Sequence, residues 1–221
     1  METTFEAVIV AAGSFPAHPV PLGILRRTQH IVACDGAVSS VPEAEAVVGD
    51  GDSVPASFAQ RLVRIDEQED NDLTKATRYC LEQGWREIAY LGATGRREDH
   101  TLGNISLLMR YYRDFGIRCS MFTDYGFFTP AQGHCTFDAF AGQQVSIFNF
   151  GSTRLASMGL KWNSYAYGQW WEGTLNQSVG DHFSLDADGF YLVFQTYEPK
   201  DAGFSEDNGD NVPAGSSLFF L

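Results

Sequence analysis

The feature that most narrows the fold is an alternation in the first half of the chain, where short β-rich runs take turns with stretches of helical period. Residues 5–11 (FEAVIVA), 31–34, 46–48, 62–65 and 88–91 read as strands. Between them, residues 72–81 carry Leu73, Ala76, Tyr79 and Cys80 at helical spacing, and residues 101–112 carry Leu102, Ile105, Leu108 and Met109 likewise. Such a pattern predicts an α/β unit with a mostly parallel sheet covered by helices. Four of the five runs are followed at once by glycine or aspartate, at Ala12-Gly13, Asp35-Gly36, Gly49-Asp50 and Gly92. In an open α/β sheet ligands bind at the carboxyl ends of strands, so the polar residues collect along one edge.

After about Met121 the character changes. Residues 144–150, 182–185 and 190–196 alternate apolar and polar side chains without helical patterns between them, which predicts an antiparallel β unit. The boundary is expected at Thr129-Pro130, giving an α/β domain over 1–130 and an all-β domain over 131–221.

Charge excludes some partners. Fifteen Lys and Arg against 28 Asp and Glu leave a net charge of −13, which repels a phosphate backbone or an anionic membrane surface. Neither nucleic acid nor membrane is expected as a partner. An anionic small molecule remains admissible where a divalent cation or local arginines offset the carboxylates. Cys34, Cys80, Cys119 and Cys135 show no C-x-x-C spacing, and the N-terminal residues lack the pattern of a signal peptide. The expectation is a cytoplasmic protein with reduced thiols.

Three loops carry the chemistry. Gly49-Asp50-Gly51-Asp52-Ser53 ends a strand with two carboxylates at i and i+2, able to converge on a hard cation such as magnesium, or to form a solvated acidic turn. Asp66-Glu67-Gln68-Glu69-Asp70-Asn71-Asp72 opens a helix, where Asp70 or Asp72 can act as a cap. Five acids exceed what capping needs, and their repulsion calls for positive charge nearby. Gly95-Arg96-Arg97-Glu98-Asp99-His100 leads into the helix bearing Asn104 and offers backbone N–H groups and guanidinium forks to an anion. Taken together, the loops point to a metal and a polyphosphate, with phosphoryl transfer as the chemistry they suit.

As a set, the loops resemble the thiamine pyrophosphokinase family, whose members move a diphosphate from ATP to the hydroxyethyl group of thiamine and release AMP. Asp35-Gly36 is similar to its early D-G element and Gly49-Asp50-Gly51-Asp52-Ser53 to its G-D-x-D-S. Gln68-Glu69-Asp70-Asn71-Asp72-Leu73-Thr74-Lys75 resembles its D-Q-D-x-T-D segment. Gly95-Arg96-Arg97-Glu98-Asp99-His100, with Asn104, resembles its G-G-R-x-D-H stretch, and Gly159-Leu160-Lys161-Trp162 its G-L-K-[YW]. The departures are Glu67 and Glu69 for Asp, Arg96 for Gly, and Leu175 where a serine precedes Asn176.

The resemblance implies a homodimer with an α/β nucleotide domain, a β-sandwich thiamine domain and active sites shared between subunits. It implies Asp50, Asp52 and Asp72 as magnesium ligands on ATP, with Gly95, Arg96 and Arg97 at the phosphates and Asp35 and Asn104 beside the nucleotide. His100 is either a phosphate contact or a structural histidine. Asp99 is the candidate to orient or deprotonate the thiamine hydroxyl; because an unperturbed carboxylate is a weak base toward an alcohol, orientation is its larger part. Trp162, with Asn176 near it, is the candidate for the thiamine ring, since an indole face attracts a cationic heteroaromatic. Two other readings use the same acids: a metal-dependent hydrolase of a nucleotide or sugar phosphate, and a non-catalytic thiamine or nucleotide binder.

Overall fold

The computed structural model describes residues 4–67 and 69–199. Gln68 of the acidic segment and residues 200–221 of the expected second domain lie outside the described residues. In chain order the elements are β1 (Ala7–Val10), α1 (Pro19–Arg27), β2 (His30–Cys34), β3 (Ala46–Gly49), β4 (Leu62–Arg64), α2 (Asp72–Glu82), β5 (Glu87–Leu91), α3 (Glu98–Phe115) and β6 (Arg118–Phe122). There follow β7 (Gly126–Asp138), β8 (Gln143–Phe150), β9 (Leu155–Met158), β10 (Asn176–Gln177) and β11 (His182–Pro199). Short 3₁₀ turns occupy Asp35–Ser39, Ala56–Arg61 and Trp170–Gly173.

The first half is parallel throughout, in the order β4-β3-β2-β1-β5-β6. Strand β1 shows why its sequence is apolar without interruption: both of its faces are covered. Ala7 and Ile9 join Leu73, Ala76, Leu108 and Met109 of α2 and α3, while Val8 and Val10 join Ile24 and Leu25 of α1. All five expected strands and both expected helices are present, with shifted ends. Helix α1 and strand β6 go beyond the sequence reading. Pro19 and Pro21 discourage a helix on paper, yet they sit in its first turn, where a missing N–H breaks no intrahelical bond.

The second half is antiparallel, and it is joined to the first through β7. That strand pairs with β6 at Met121↔Phe128 and Phe122↔Phe127, then runs on beside β11. Thr129-Pro130 therefore lies inside a strand, and both halves belong to one mixed sheet of eleven strands. Residues 182–185 and 190–196 form a single 18-residue strand with a register shift between Asp186 and Phe190. Asp188, at this irregularity, accepts from the N–H groups of Thr153 (2.8 Å) and Arg154 (3.0 Å) and from the Thr153 hydroxyl (2.5 Å). These bonds, the hydroxyl's first, hold its carboxyl down at about 2. Phe183 and Leu185 from one end of β11 and Tyr191 and Val193 from the other enter one core with Val145, Ile147 and Leu155. Among the described residues no helix is long and apolar enough to cross a membrane.

Candidate functional site

Strand order reverses between β1 and β5, so the connections leaving these strands part to opposite sides and open a crevice at their carboxyl ends. The two loops are tied together there. Gly13 N–H donates to the Gly92 carbonyl at 2.6 Å, Ser14 N–H to that of Thr94 at 2.8 Å, and Ser14 Oγ to that of Gly95 at 2.7 Å. A Cβ on Gly13 would lie 2.4 Å from the carbonyl oxygens of Gly92 and Thr94, so only glycine permits the approach. The sequence marks Gly13 as a strand end; its role in joining the loops depends on β1 and β5 being neighbours.

Next along the sheet, Asp35 is buried at the end of β2 with φ 41°, a left-handed conformation unusual for a residue with a side chain. Its carboxylate accepts the N–H groups of Gly51 (3.1 Å) and Ser53 (3.0 Å). Each oxygen takes one N–H of the loop that presents Asp50 and Asp52, so the carboxylate shapes that loop. Asp50 Oδ1 accepts the Asp52 N–H at 3.1 Å, tightening the same turn, and the Asp52 side chain is exposed. Asp35→Ala, which strands two loop N–H groups, is expected to cost about 2–4 kcal/mol of stability. Asp35→Asn, which keeps an acceptor and tolerates positive φ, should cost less. Urea unfolding of both variants checks this, and wild-type stability in Asp35→Ala would remove the clamp.

The acidic segment finds its positive charge within the chain. Arg64 pairs with Asp66 at 2.6 Å and Arg78 with Glu67 at 2.9 Å, while Asp70 is gripped by Arg78 and by Arg110 of α3, the latter at 3.0 Å. Neither Asp70 nor Asp72 caps α2. Asn71 does, its Oδ1 accepting from Thr74 N–H at 3.0 Å.

Asp72 is the acid of this segment that stands near Asp35 and Asp50, at the ends of β2 and β3. Burial pushes its carboxyl above the usual range against the pull of Lys75, with Asp35 and Asp50 adding to the push. Lys75, to which the sequence alone assigns no role, has a side chain only 3% exposed, with Nζ 3.5 Å from Asp72 Oδ1. The signal for it was a lysine on the apolar stripe of α2, beside Leu73 and Ala76.

Beyond β5, Arg97 stands just before α3 without capping it through its side chain, and forks onto Asp99 at 2.6 and 3.1 Å, both side chains exposed. Arg97 first, then the His100 N–H, hold the Asp99 carboxyl below its ordinary range. A carboxylate so stabilised is a poorer base and a better fixed acceptor, which favours orientation over deprotonation. Arg96 and His100 are exposed on the same loop. Asn104 donates to the Ala93 carbonyl at 2.7 Å and accepts from Asn71 Nδ2 at 3.1 Å, so it braces the loop against α2 and has both ends of its amide engaged.

No group of three or more His, Cys, Asp or Glu able to hold a metal ion occurs among the described residues. Asp50, Asp52 and Asp72 are thus not gathered into a cage. They nevertheless suit a hard cation that takes few protein ligands and shares the rest with phosphates, because positive charge would offset the burial of Asp72 and its repulsion by Asp35 and Asp50.

The second expected site lies at the far end of the sheet. Trp162, Asn163, Tyr165, Tyr167, Glu172 and Leu175 line much of a cavity of about 290 Å³. Trp162 is 50% exposed, which removes it from the core. Asn176 is buried and uses its amide to hold the Trp162 backbone, accepting its N–H (3.2 Å) and donating to its carbonyl (2.8 Å). It thereby supports the residue that carries the indole. Leu175, standing at the serine position of the resembled motif, is exposed at the rim with φ 63°.

Residues 23–121 match the family model described as "Thiamin pyrophosphokinase, catalytic domain", and residues 126–194 match "Thiamin pyrophosphokinase, substrate-binding domain". Thiamin pyrophosphokinase 1 of Caenorhabditis elegans is 31% identical over 101 residues, which span 38% of this chain and 42% of the worm protein. The fold is shared with a solved thiamine pyrophosphokinase of Bacillus subtilis (TM-score 0.71, 19% identity, covering 87% of this chain and 99% of that one). It is shared also with the yeast enzyme (TM-score 0.72, 13% identity, covering 88% and 87%).

Proposed function

The chain belongs to the thiamin pyrophosphokinase family, and from that premise we propose that it transfers diphosphate from ATP to the hydroxyl of thiamine. The hydroxyl oxygen attacks the β-phosphorus of ATP, the bond from that phosphorus to the oxygen bridging to the α-phosphate breaks, and AMP leaves with the electron pair. The hydroxyl proton is lost as the new P–O bond forms. The observation that carries this reading is the order of the two matched segments on one chain, the first of them holding the loops gathered at the strand-order switch.

Within this reading the crevice between β1 and β5 receives the nucleotide, with Arg96, Arg97, His100 and the Gly95 backbone facing its phosphates. Asp50, Asp52 and Asp72 would hold magnesium, which supplies charge neutralisation on the transferring group. The Asp35 clamp fixes the Asp50 loop before substrate arrives, so little ordering is left to be done at the moment of reaction. Asp99, kept ionised by Arg97, orients the acceptor hydroxyl.

The active site is further proposed to be shared between two copies. From β10, near the Trp162 cavity, to β3, which carries Asp50, the sheet path β10-β8-β11-β7-β6-β5-β1-β2-β3 spans roughly 38 Å at strand spacing. This separation along the sheet supports a site completed by a second copy. An apolar groove of about 880 Å³, lined by Phe122, Phe127, Phe137 and Tyr197 among others, gives a second copy a surface to cover. The second half is read as the sandwich-like acceptor domain. The four cysteines are free, three of them buried, in keeping with the cytoplasmic setting proposed.

The direct test mixes protein, magnesium, ATP and thiamine. AMP and thiamine diphosphate in equal amounts are expected; ADP or phosphate independent of thiamine would replace this reading with a hydrolase, and binding without turnover with a carrier. Sharing is tested by mixing Asp72→Asn with Trp162→Ala protein at a thiamine concentration far below what the latter needs, where neither turns over appreciably alone; the mixture should recover part of the activity through hybrid sites. A fully active monomer would exclude shared sites.

A further inference from the structure

Two opposite charges stand at Trp162, Glu172 in the lining of its cavity and Lys161 over its ring, in a placement the family reading does not use. Among its lining residues only Glu172 is charged, and the walls are otherwise dominated by Trp162, Tyr165 and Tyr167. Glu172 is fixed: its Oε2 accepts the N–H groups of Gly168 (2.8 Å) and Gln169 (3.0 Å). Aromatic faces around a held carboxylate suit a cationic ring.

The cation stands on one of the cavity's walls, over the Trp162 ring. The Lys161 ammonium lies 4.7 Å from the centre of the Trp162 ring, on a surface-exposed side chain. Its backbone is clamped, with Lys161 N–H donating to the Gln177 carbonyl (2.8 Å), Val179 N–H to that of Gly159 (3.0 Å), and Asn176 holding Trp162. An ammonium over the indole, beside a site for a cationic ring, opposes the ring's entry, unless the ligand also brings negative charge.

We propose that Lys161 is the contact for the diphosphate tail of the phosphorylated acceptor, so that this cavity selects a cationic ring carrying an anionic tail. The inference rests on the reading of the cavity as the acceptor's. During transfer the same ammonium meets the diphosphoryl group as it arrives at the hydroxyl, and afterwards it holds the product.

Calorimetric titration of the full chain with thiamine and with thiamine diphosphate tests this in the wild type, Lys161→Met, Lys161→Arg and Trp162→Ala. Methionine keeps the apolar stem against the indole and removes only the charge. Lys161→Met is expected to weaken thiamine diphosphate about tenfold, the scale of one charge-assisted contact, while thiamine binds as before or somewhat more tightly. Lys161→Arg should recover most of the loss. Equal losses for both ligands would make Lys161 mere packing, and an unchanged diphosphate affinity would also overturn the proposal. If Trp162→Ala leaves thiamine binding intact, the acceptor reading falls and this inference with it. If Trp162→Ala weakens thiamine but Lys161→Met does not touch the diphosphate, only the Lys161 assignment fails.

Discussion

Asp50→Asn is expected to lower turnover by roughly 10²- to 10⁴-fold, the rate equivalent of about 3–5 kcal/mol of transition-state stabilisation from one charged metal ligand. The asparagine retains the oxygen that accepts the Asp52 N–H, so the turn survives and the change is confined to charge. The melting temperature should therefore stay close to wild type. Asp72→Asn is a less clean experiment, because it also deprives the buried Lys75 ammonium of its partner, and an unpaired buried charge is strongly destabilising. Initial rates across a magnesium series, with thermal melts alongside, decide the matter. Wild-type turnover in Asp50→Asn at every magnesium concentration would end the metal assignment.

The second large effect is expected at the other end of the sheet. Trp162→Ala should weaken thiamine binding by roughly 10- to 100-fold, combining a cation–π contact of about 0.5–2 kcal/mol with lost ring packing. ATP affinity should stay nearly constant, since the nucleotide loops are strands away. A core tryptophan would cost about 3–5 kcal/mol of stability on truncation. Trp162 is half exposed, so the cost should be well below that. Calorimetric titration with each substrate, plus a thermal melt, checks all three quantities; equal loss for both substrates with a much lower melting temperature would return the residue to a packing role.

What could be read from the chain and what could not divide along physical lines. Buried parallel strands write themselves as unbroken apolar runs, which is why β1 and β3 stand out, and polar residues at their ends mark the active edge. Contacts between residues far apart in sequence leave no such trace. That Asp35 serves Gly51 and Ser53, and that Asp70 is neutralised by Arg110 forty positions on, depend on which strands and helices are neighbours. The excess of acids after β4 correctly demanded positive charge, but arginines of the protein itself answer much of it. Amide side chains were the least legible: Asn104 and Asn176 each occupy a motif position, and each is committed to bracing backbone.

Strand β7 also governs how this architecture can be taken apart. Its first residues close the edge of β6 and its remainder builds the partner of β11. A chain severed at Thr129-Pro130 would leave each fragment with half a strand and an open row of backbone donors and acceptors, the kind of edge that recruits other chains into aggregates. Recombination between relatives meets the same obstacle. An acceptor half grafted from elsewhere must bring its own strand from Gly126 onward and match the β6 register at Met121 and Phe122. The two matched segments of the chain are in that sense inherited as one piece.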